Sequence, residues 1–392
     1  MPNAAYTQPF RFPATRDGAP LTVVSKAGLA DGSTVGAAAS LVATLVQPAA
    51  TETVLLLGCG HGALGVALAR RLVDGHLTLN DPSLLALQLA EQTLAANGIT
   101  GVTVSAAVSH LPAGAGRFDR VIILAPQSRA LGRRWLVEAH ALLRPGGILH
   151  LAGANSGGIQ SLSADAAAYF GAAHTLGYKQ GCRVTTTTRR DPPPEAPPWA
   201  TLPGIAPGTW HQLQVALPAG TVTLCSLPGI FSYDRLDAGT ALLLQQLEAS
   251  QGQRVLDAGC GYGPIGIAAA RLGAEQVDML DVNLLAVAAA QANVARLGLT
   301  GVTVEASDAL LSIAERRYDV VLSNPPFHAG QAKDTAVAEA FITQARSLLN
   351  PGGRLLLVAN RFLPYERLLL PWYTRVTVVA QNQGYRVLLG ET

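Results

Sequence analysis

Cysteine is scarce in this chain. The four present, Cys59, Cys182, Cys225 and Cys260, show neither C-x-x-C spacing nor an accompanying histidine pattern. That argues against both a zinc site and a disulfide framework. Long apolar runs are missing too: no stretch of about 18 uncharged apolar residues occurs, so no membrane-spanning helix is expected. The start, Met1-Pro2-Asn3-Ala4-Ala5, lacks a charged region followed by an apolar core, which points away from secretion and toward a cytoplasmic protein. Lysine is nearly absent, only Lys26, Lys179 and Lys333, so 25 of the 28 basic residues are arginine. A GC-rich genome produces the same bias, and it identifies no partner.

What is present is apolar and repetitive. Hydrophobic residues make up 49% of 392, with a mean hydropathy of +0.28, enough for two cores. Two domains are expected, because single cores stop growing near about 250–300 residues. The halves echo one another at an offset of about 200 residues. Val54-Leu55-Leu56-Leu57-Gly58-Cys59-Gly60-His61-Gly62 aligns with Val255 through Gly263. Thr78-Leu79-Asn80-Asp81 aligns with the stretch ending at Asp281, Phe118 through Gln127 with Tyr318 through Phe327, and Arg144-Pro145-Gly146-Gly147 with Asn350-Pro351-Gly352-Gly353. Apolar strands alternate with Ala/Leu-rich helical stretches in each half. The expected fold is therefore α/β, two tandem doubly wound Rossmann-like domains.

Chemistry concentrates in the second half. Arg254-Val255-Leu256-Asp257-Ala258-Gly259-Cys260-Gly261-Tyr262-Gly263 reads as a buried strand entering a Gly-rich turn, and Pro264-Ile265-Gly266 opens a helix. Glycines allow a ligand to approach the backbone closely. Gly261 through Gly266 also fits the dinucleotide pattern G-x-G-x-x-G, which alone is weak. Asp257 argues against a dinucleotide, whose pyrophosphate it would repel, and suits the amino group of a methionine-like cofactor. About 20 residues on, Asp281 ends a second strand and is placed for two ribose hydroxyls. Asp308, after Val302-Thr303-Val304-Glu305, is a candidate acceptor for an adenine amine. Strand-end solvation is the bland alternative for both.

A third strand, Tyr318-Asp319-Val320-Val321-Leu322, runs into Ser323-Asn324-Pro325-Pro326-Phe327-His328. Two prolines stiffen the backbone and remove two donors, so carbonyls point outward. The Asn324 amide oxygen and Pro325 carbonyl can accept both N–H groups of a planar amine, while Phe327 stacks on the base that carries it. A nitrogen methyltransferase acting on a nucleobase needs that arrangement; the alternative is a Pro-terminated strand with a core Phe. His328 shapes the pocket, takes a late proton or merely packs.

In this order, glycine loop, ribose acid, adenine acid and Asn-Pro-Pro-Phe, the chain resembles the class I S-adenosylmethionine-dependent methyltransferases. More narrowly, it is similar to the bacterial rRNA guanine-N2 methyltransferases of the RsmC/RlmG kind. The stretches Leu227-Pro228-Gly229-Ile230-Phe231-Ser232-Tyr233-Asp234-Arg235-Leu236-Asp237-Ala238-Gly239-Thr240 and Val358-Ala359-Asn360-Arg361-Phe362-Leu363-Pro364-Tyr365 carry that likeness. It implies S-adenosylmethionine held by Asp257, Gly259, Gly261, Asp281, Asp308 and Asn324. Catalysis would fall to Asn324, Pro325, Pro326 and Phe327, with no metal. The substrate implied is a guanine N2 amine of rRNA, small-subunit rRNA foremost, naked or within a ribosomal subunit, and the chain would be a monomer. The chain departs from the family at Gln381-Asn382-Gln383-Gly384-Tyr385-Arg386, where a Lys-rich run is usual. Adenine-N6 and protein glutamine methyltransferases share the Asn-Pro-Pro motif; an NAD-binding oxidoreductase and a silent RNA-binding scaffold are more distant readings.

The first half has lost this chemistry: Leu56 stands for Asp257, Val108 for Asp308, Leu124 for Asn324 and Gln127 for Phe327. It is expected to be a degenerate duplicate over 1–190. Those residues hold 15 basic and 9 acidic side chains, net +6, against 13 and 17, net −4, in the remainder. A basic module of this kind suits RNA docking, with Arg133, Arg134, Arg183, Arg189 and Arg190 as candidates and ordinary surface charge as the alternative. The Pro-rich segment 191–208 reads as a stiff linker. Residues 209–392 form the catalytic domain, led by a β-hairpin around Pro218-Ala219-Gly220.

Overall fold

The computed structural model describes residues 8–16, 19–29, 32–111, 114–192, 194–248, 251–325 and 332–392, with only the backbone of Leu311 and 332–337. The chain divides into two compact units, Pro9–Trp210 and His211–Thr392.

In the first unit a hairpin of β1 (Phe10–Arg16) and β2 (Ala19–Ser25) precedes the sheet. The sheet strands are β3 (Thr53–Leu57), β4 (His76–Asn80), β5 (Thr103–Ser105), β6 (Phe118–Leu124), β7 (Leu143–Ala154), β8 (His174–Lys179) and β9 (Cys182–Thr188). Their order is β5-β4-β3-β6-β7-β9-β8, parallel except for β9. In β3, Val54, Leu55 and Leu56 are all 0% exposed, the continuous apolar run of a strand covered on both faces. The aspartate position of the second half is thus filled here by a core leucine.

Two expectations for this unit need correction. The segment 191–208 is not a free spacer: Ala200 and Ile205 pack with Val137, and the Trp199 ring lies 5.6 Å from that of Tyr169. Nor do the proposed docking arginines form an open cluster. Arg134 is buried, pairs with Glu138 at 3.4 Å and donates to the Gly204 carbonyl at 3.1 Å. Arg133 binds both oxygens of Asp165 and lies 4.9 Å above the Trp199 ring. Arg189 donates to the Leu143 carbonyl, and Arg190 is exposed. A guanidinium withdrawn from water must find acceptors, and Arg133, Arg134 and Arg189 meet theirs within the fold.

The second unit repeats the plan. Its hairpin, β10 (His211–Leu217) with β11 (Gly220–Ser226), forms as expected. The sheet comprises β12 (Arg254–Ala258), β13 (Gln276–Asp281), β14 (Val302–Ala306), β15 (Tyr318–Ser323), β16 (Leu349–Asn360), β17 (Arg375–Gln381) and β18 (Tyr385–Glu391). The order is β14-β13-β12-β15-β16-β18-β17, again with one antiparallel strand, β18. Strand order reverses between β12 and β15. In open α/β sheets, the crevice beyond the carboxyl ends at such a reversal is where ligands bind. Among the described residues, no helix is long and apolar enough to cross a membrane.

Candidate active site

The loop after β12 is pinned from beneath by its neighbour. Gly259 and Cys260 donate backbone N–H groups to the Leu280 carbonyl at 2.8 and 2.9 Å. Gly261 N–H reaches Oδ2 of Asp281 at 2.8 Å, and Asn283 N–H reaches its Oδ1 at 2.9 Å. Each Asp281 oxygen still has a lone pair for another donor. Gly263 must be glycine: its φ is +98°, and an added Cβ would lie 2.7 Å from the Met279 methyl. At Gly259, by contrast, an added Cβ would meet nothing within 4 Å. The loop therefore packs tightly on its lower side and opens on its upper one.

Asp257 is fully buried at the end of β12. Its Oδ2 accepts from Gly266 N–H at 2.7 Å, whereas its Oδ1 has no hydrogen-bond partner. Burial pushes the carboxyl up to about 7; the Gly266 bond opposes this, and the negative charge of Asp281 adds to it. Burial likewise raises Asp281 against the pull of its two backbone donors and that of Val282. Ser307 N–H bonds the Asp281 carbonyl at 2.9 Å, bringing the next residue, Asp308, to the same edge. Asp308 is buried and already partnered.

At the end of β15, Ser323 donates its hydroxyl to the Ala258 carbonyl at 2.7 Å, binding this strand end to that of β12. The next residue, Asn324, donates from Nδ2 to Asp237 Oδ2 at 2.9 Å and to Thr240 Oγ1 at 2.8 Å. Both amide hydrogens are thereby used. The partners also settle which end of the amide is which, because a carboxylate oxygen can only accept. Oδ1 of Asn324 is left uncommitted to any described residue. Asp237 caps the helix Ala238–Leu244, its Oδ2 accepting from Thr240 N–H at 2.9 Å. Pro325 follows half-buried; Pro326, Phe327 and His328 lie outside the described residues.

Sequence reasoning missed Asp237 and Thr240. The segment that holds them was singled out only for its family likeness. In the structure this segment lies against the glycine loop and the strand end beside it: Asn283 Nδ2 donates to the Gly229 carbonyl at 2.8 Å and Tyr262 Oη to the Arg235 carbonyl at 3.3 Å. The first unit keeps the scaffold of this site but not its polar groups. Gly60 N–H and Ser83 N–H bind the two oxygens of Asp81 at 3.0 and 2.9 Å, as their counterparts bind Asp281. Yet Gly36 caps the helix where Asp237 does in the second unit, and Leu124, the last residue of β6, stands at the position of Asn324. Among the described residues, no group of three or more His, Cys, Asp or Glu is placed to hold a metal ion.

A glycine loop, three strand-end acids and an oriented Asn beside Pro, at the switch point of a β14-β13-β12-β15-β16-β18-β17 sheet, define a Rossmann-like methyltransferase domain. The family model for the methyltransferase small domain matches twice, over residues 20–186 and 221–389, and the chain belongs to that family. Curated relatives include the ribosomal RNA small subunit methyltransferase C of Shewanella pealeana, 36% identical over 69% of this chain and 76% of its own length. The protein of the same name from Pseudomonas entomophila is 35% identical over 69% of this chain and 78% of its own. Among solved structures, the T. thermophilus 16S rRNA N2 G1207 methyltransferase (RsmC), in complex with AdoMet and guanosine, is similar over 100% of both chains, with a TM-score of 0.80 and 27% identity.

Proposed function

We propose that this chain transfers a methyl group from S-adenosylmethionine to the exocyclic N2 amine of a guanine in small-subunit rRNA. The observation that carries the reading is the fixed Asn324 amide, with both hydrogens held by Asp237 and Thr240 and its acceptor oxygen left for a substrate donor. The named relatives act on small-subunit rRNA, and the full-length structural likeness is to a protein bound to AdoMet and guanosine.

The cofactor site fits that group. Open space at Gly259 admits it, and the unpartnered Asp257 Oδ1 suits a cationic ammonium. The remaining lone pairs of Asp281 suit two ribose hydroxyls, and Asp308 suits the adenine amine. S-adenosylmethionine supplies a methyl made electrophilic by its sulfonium charge. Asn324 Oδ1 and the Pro325 carbonyl then accept one N–H each from the guanine amine. That draws its lone pair out of ring conjugation and aims it for in-line displacement, so catalysis is mostly positioning. The proton leaves a nitrogen that has become cationic, and no strong base is needed beforehand. By the sequence motif, Pro326 and Phe327 would complete the site, Phe327 supplying stacking of about 1–3 kcal/mol on a base that has left its helix. The first unit, net +6 over residues 1–190, would serve as an RNA-docking module, with the exposed Arg190 among its cations. Mass mapping of small-subunit rRNA after incubation with labelled S-adenosylmethionine tests the reading. N2-methylguanine is expected, and label in adenine or in protein overturns the substrate assignment.

A further inference from the structure

We propose that Phe362 stacks on the nucleobase flanking the target guanine and holds the RNA strand open while the guanine occupies the pocket at Asn324. The inference rests on the guanine-methyltransfer reading and assigns to that site a second base contact.

Phe362 is 84% exposed, the most exposed large hydrophobic side chain among the described residues. A phenyl ring in that state adds nothing to the core, so the fold itself does not require it. Its position is specific. Leu357 of β16 is in register with Ser323 of β15, which places Val358 level with Asn324. Phe362 lies four residues further along, past the end of β16, at the same carboxyl edge. By strand rise that is at most about 13 Å, the span of one or two nucleotides of an extended strand.

The ring is also presented by a fixed turn. Phe362 N–H donates to Asn360 Oδ1 at 3.2 Å, and Leu363 N–H to the Asn360 carbonyl at 3.0 Å. Arg361 N–H donates to the Gly384 carbonyl at 2.8 Å. That carbonyl belongs to a second turn, closed by Asn382 Oδ1 accepting from Gly384 and Tyr385 N–H at 2.9 and 2.8 Å. Arg361 is itself exposed and offers a cation to the phosphate beside a stacked base.

The first unit is an internal control. Ala154 pairs with Cys182 as Asn360 pairs with Tyr385, and Asn155 N–H donates to the Gly181 carbonyl at 2.9 Å as Arg361 does to Gly384. The turn is kept, but its next residue is Ser156 where the second unit has Phe362. The aromatic ring is missing from the same half that lacks counterparts of Asp257, Asn324 and Asp237. It goes with the chemistry and not with the scaffold.

Steady-state methylation of small-subunit rRNA by Phe362→Ala, Phe362→Leu and Phe362→Trp tests the proposal. Loss of one stacked base raises the KM for RNA about 5- to 150-fold. Phe362→Ala and Phe362→Leu should both show that rise, with kcat, cofactor affinity and melting temperature near wild type, and Phe362→Trp should restore KM. A Leu variant that restores KM, an unchanged KM in Phe362→Ala, or a fall in melting temperature overturns the stacking role while leaving the methyltransfer reading intact. Should wild-type protein fail to methylate RNA, that reading falls instead. Phe362 is then decided by quenching of 2-aminopurine in a single-stranded oligoribonucleotide, which the Trp variant must retain and the Ala variant lose.

Discussion

Asp237 and Asn324 are 87 residues apart in sequence and 2.9 Å apart in space, carboxylate oxygen to amide nitrogen. The same oxygen caps a helix through Thr240 N–H. One carboxylate therefore fixes both a helix start and the direction in which an amide presents its acceptor. Preorganisation of this kind costs nothing at the moment of reaction, because the dipole is already aimed.

Removing the acceptor should stop transfer without emptying the cofactor site. Asn324→Ala is expected to lower kcat on the order of 10²–10³-fold, while calorimetric affinity for S-adenosylmethionine stays within a few fold. Turnover at the wild-type rate would rule out the amide as the group addressing the substrate.

Loss of Asp237 should act through Asn324. In Asp237→Ala the amide keeps only its Thr240 bond and is held less firmly, so kcat falls, and the helix loses a cap worth about 0.5–2 kcal/mol. Because the two residues work as a unit, kcat of the double variant with Asn324→Ala should be close to that of Asn324→Ala alone. Strictly multiplicative losses in kcat would show that Asp237 acts elsewhere.

Asp257 carries a pH signature. Its folded value near 7 lies above the ordinary 3.8, so the buried site favours the protonated acid. That contribution to stability is fully present below the ordinary value and is lost as pH rises through 7. Free wild-type protein should thus lose stability relative to Asp257→Asn as pH is raised from 5 to 8. A cationic cofactor reverses the preference. Binding should release protons near pH 6, and affinity should climb about tenfold per pH unit below 7. Calorimetry in buffers of different ionisation heat counts those protons, and a count of zero across the range removes Asp257 from the cofactor contacts.

The chain should bind one cofactor, with Asp81 playing no part. Asp81→Ala should leave calorimetric affinity and a one-to-one stoichiometry unchanged. It should also lower stability by about 1–3 kcal/mol for each stranded backbone donor. Two binding events per chain would contradict the absence of a site from the first unit.

Arg134 should behave as a core residue. Its side chain is 8% exposed and Glu138 only 4%, so Arg134→Ala strands a buried charge at a cost of about 3–5 kcal/mol. Chemical denaturation measures this, and a stable variant with weakened RNA binding would restore the docking role.

Much of this was readable from residue order. Buried strands such as Val54–Leu57 announce themselves as unbroken apolar runs, and the two glycine loops repeat nearly letter for letter. The Asn-Pro-Pro segment limits the backbone enough that its chemistry can be argued before any fold is known. What resisted reading depends on contacts between distant positions. Nothing local to Asn324 names Asp237 as its orienter, and an N-cap aspartate has sufficient local reason to exist. A charge count treats Arg134 as surface, although its i,i+4 partner Glu138 was visible in the sequence. Proline content suggested a spacer at 191–208, but Trp199, Ala200 and Ile205 supply the apolar surface that binds this stretch to its own unit.

Asp81 and Asp281 hold their loops by the same two backbone bonds, and only one of the two units retains the polar groups of an active site. An acid that braces a turn is maintained by folding alone, whether or not anything binds above it. The outward emblem of a cofactor site, glycines followed by a strand-end aspartate, can therefore outlive its ligand indefinitely. A retired site is betrayed by what it no longer keeps, the groups with no duty to the fold: a buried oxygen without a partner, an amide oxygen left over from its own anchoring, a ring turned to water.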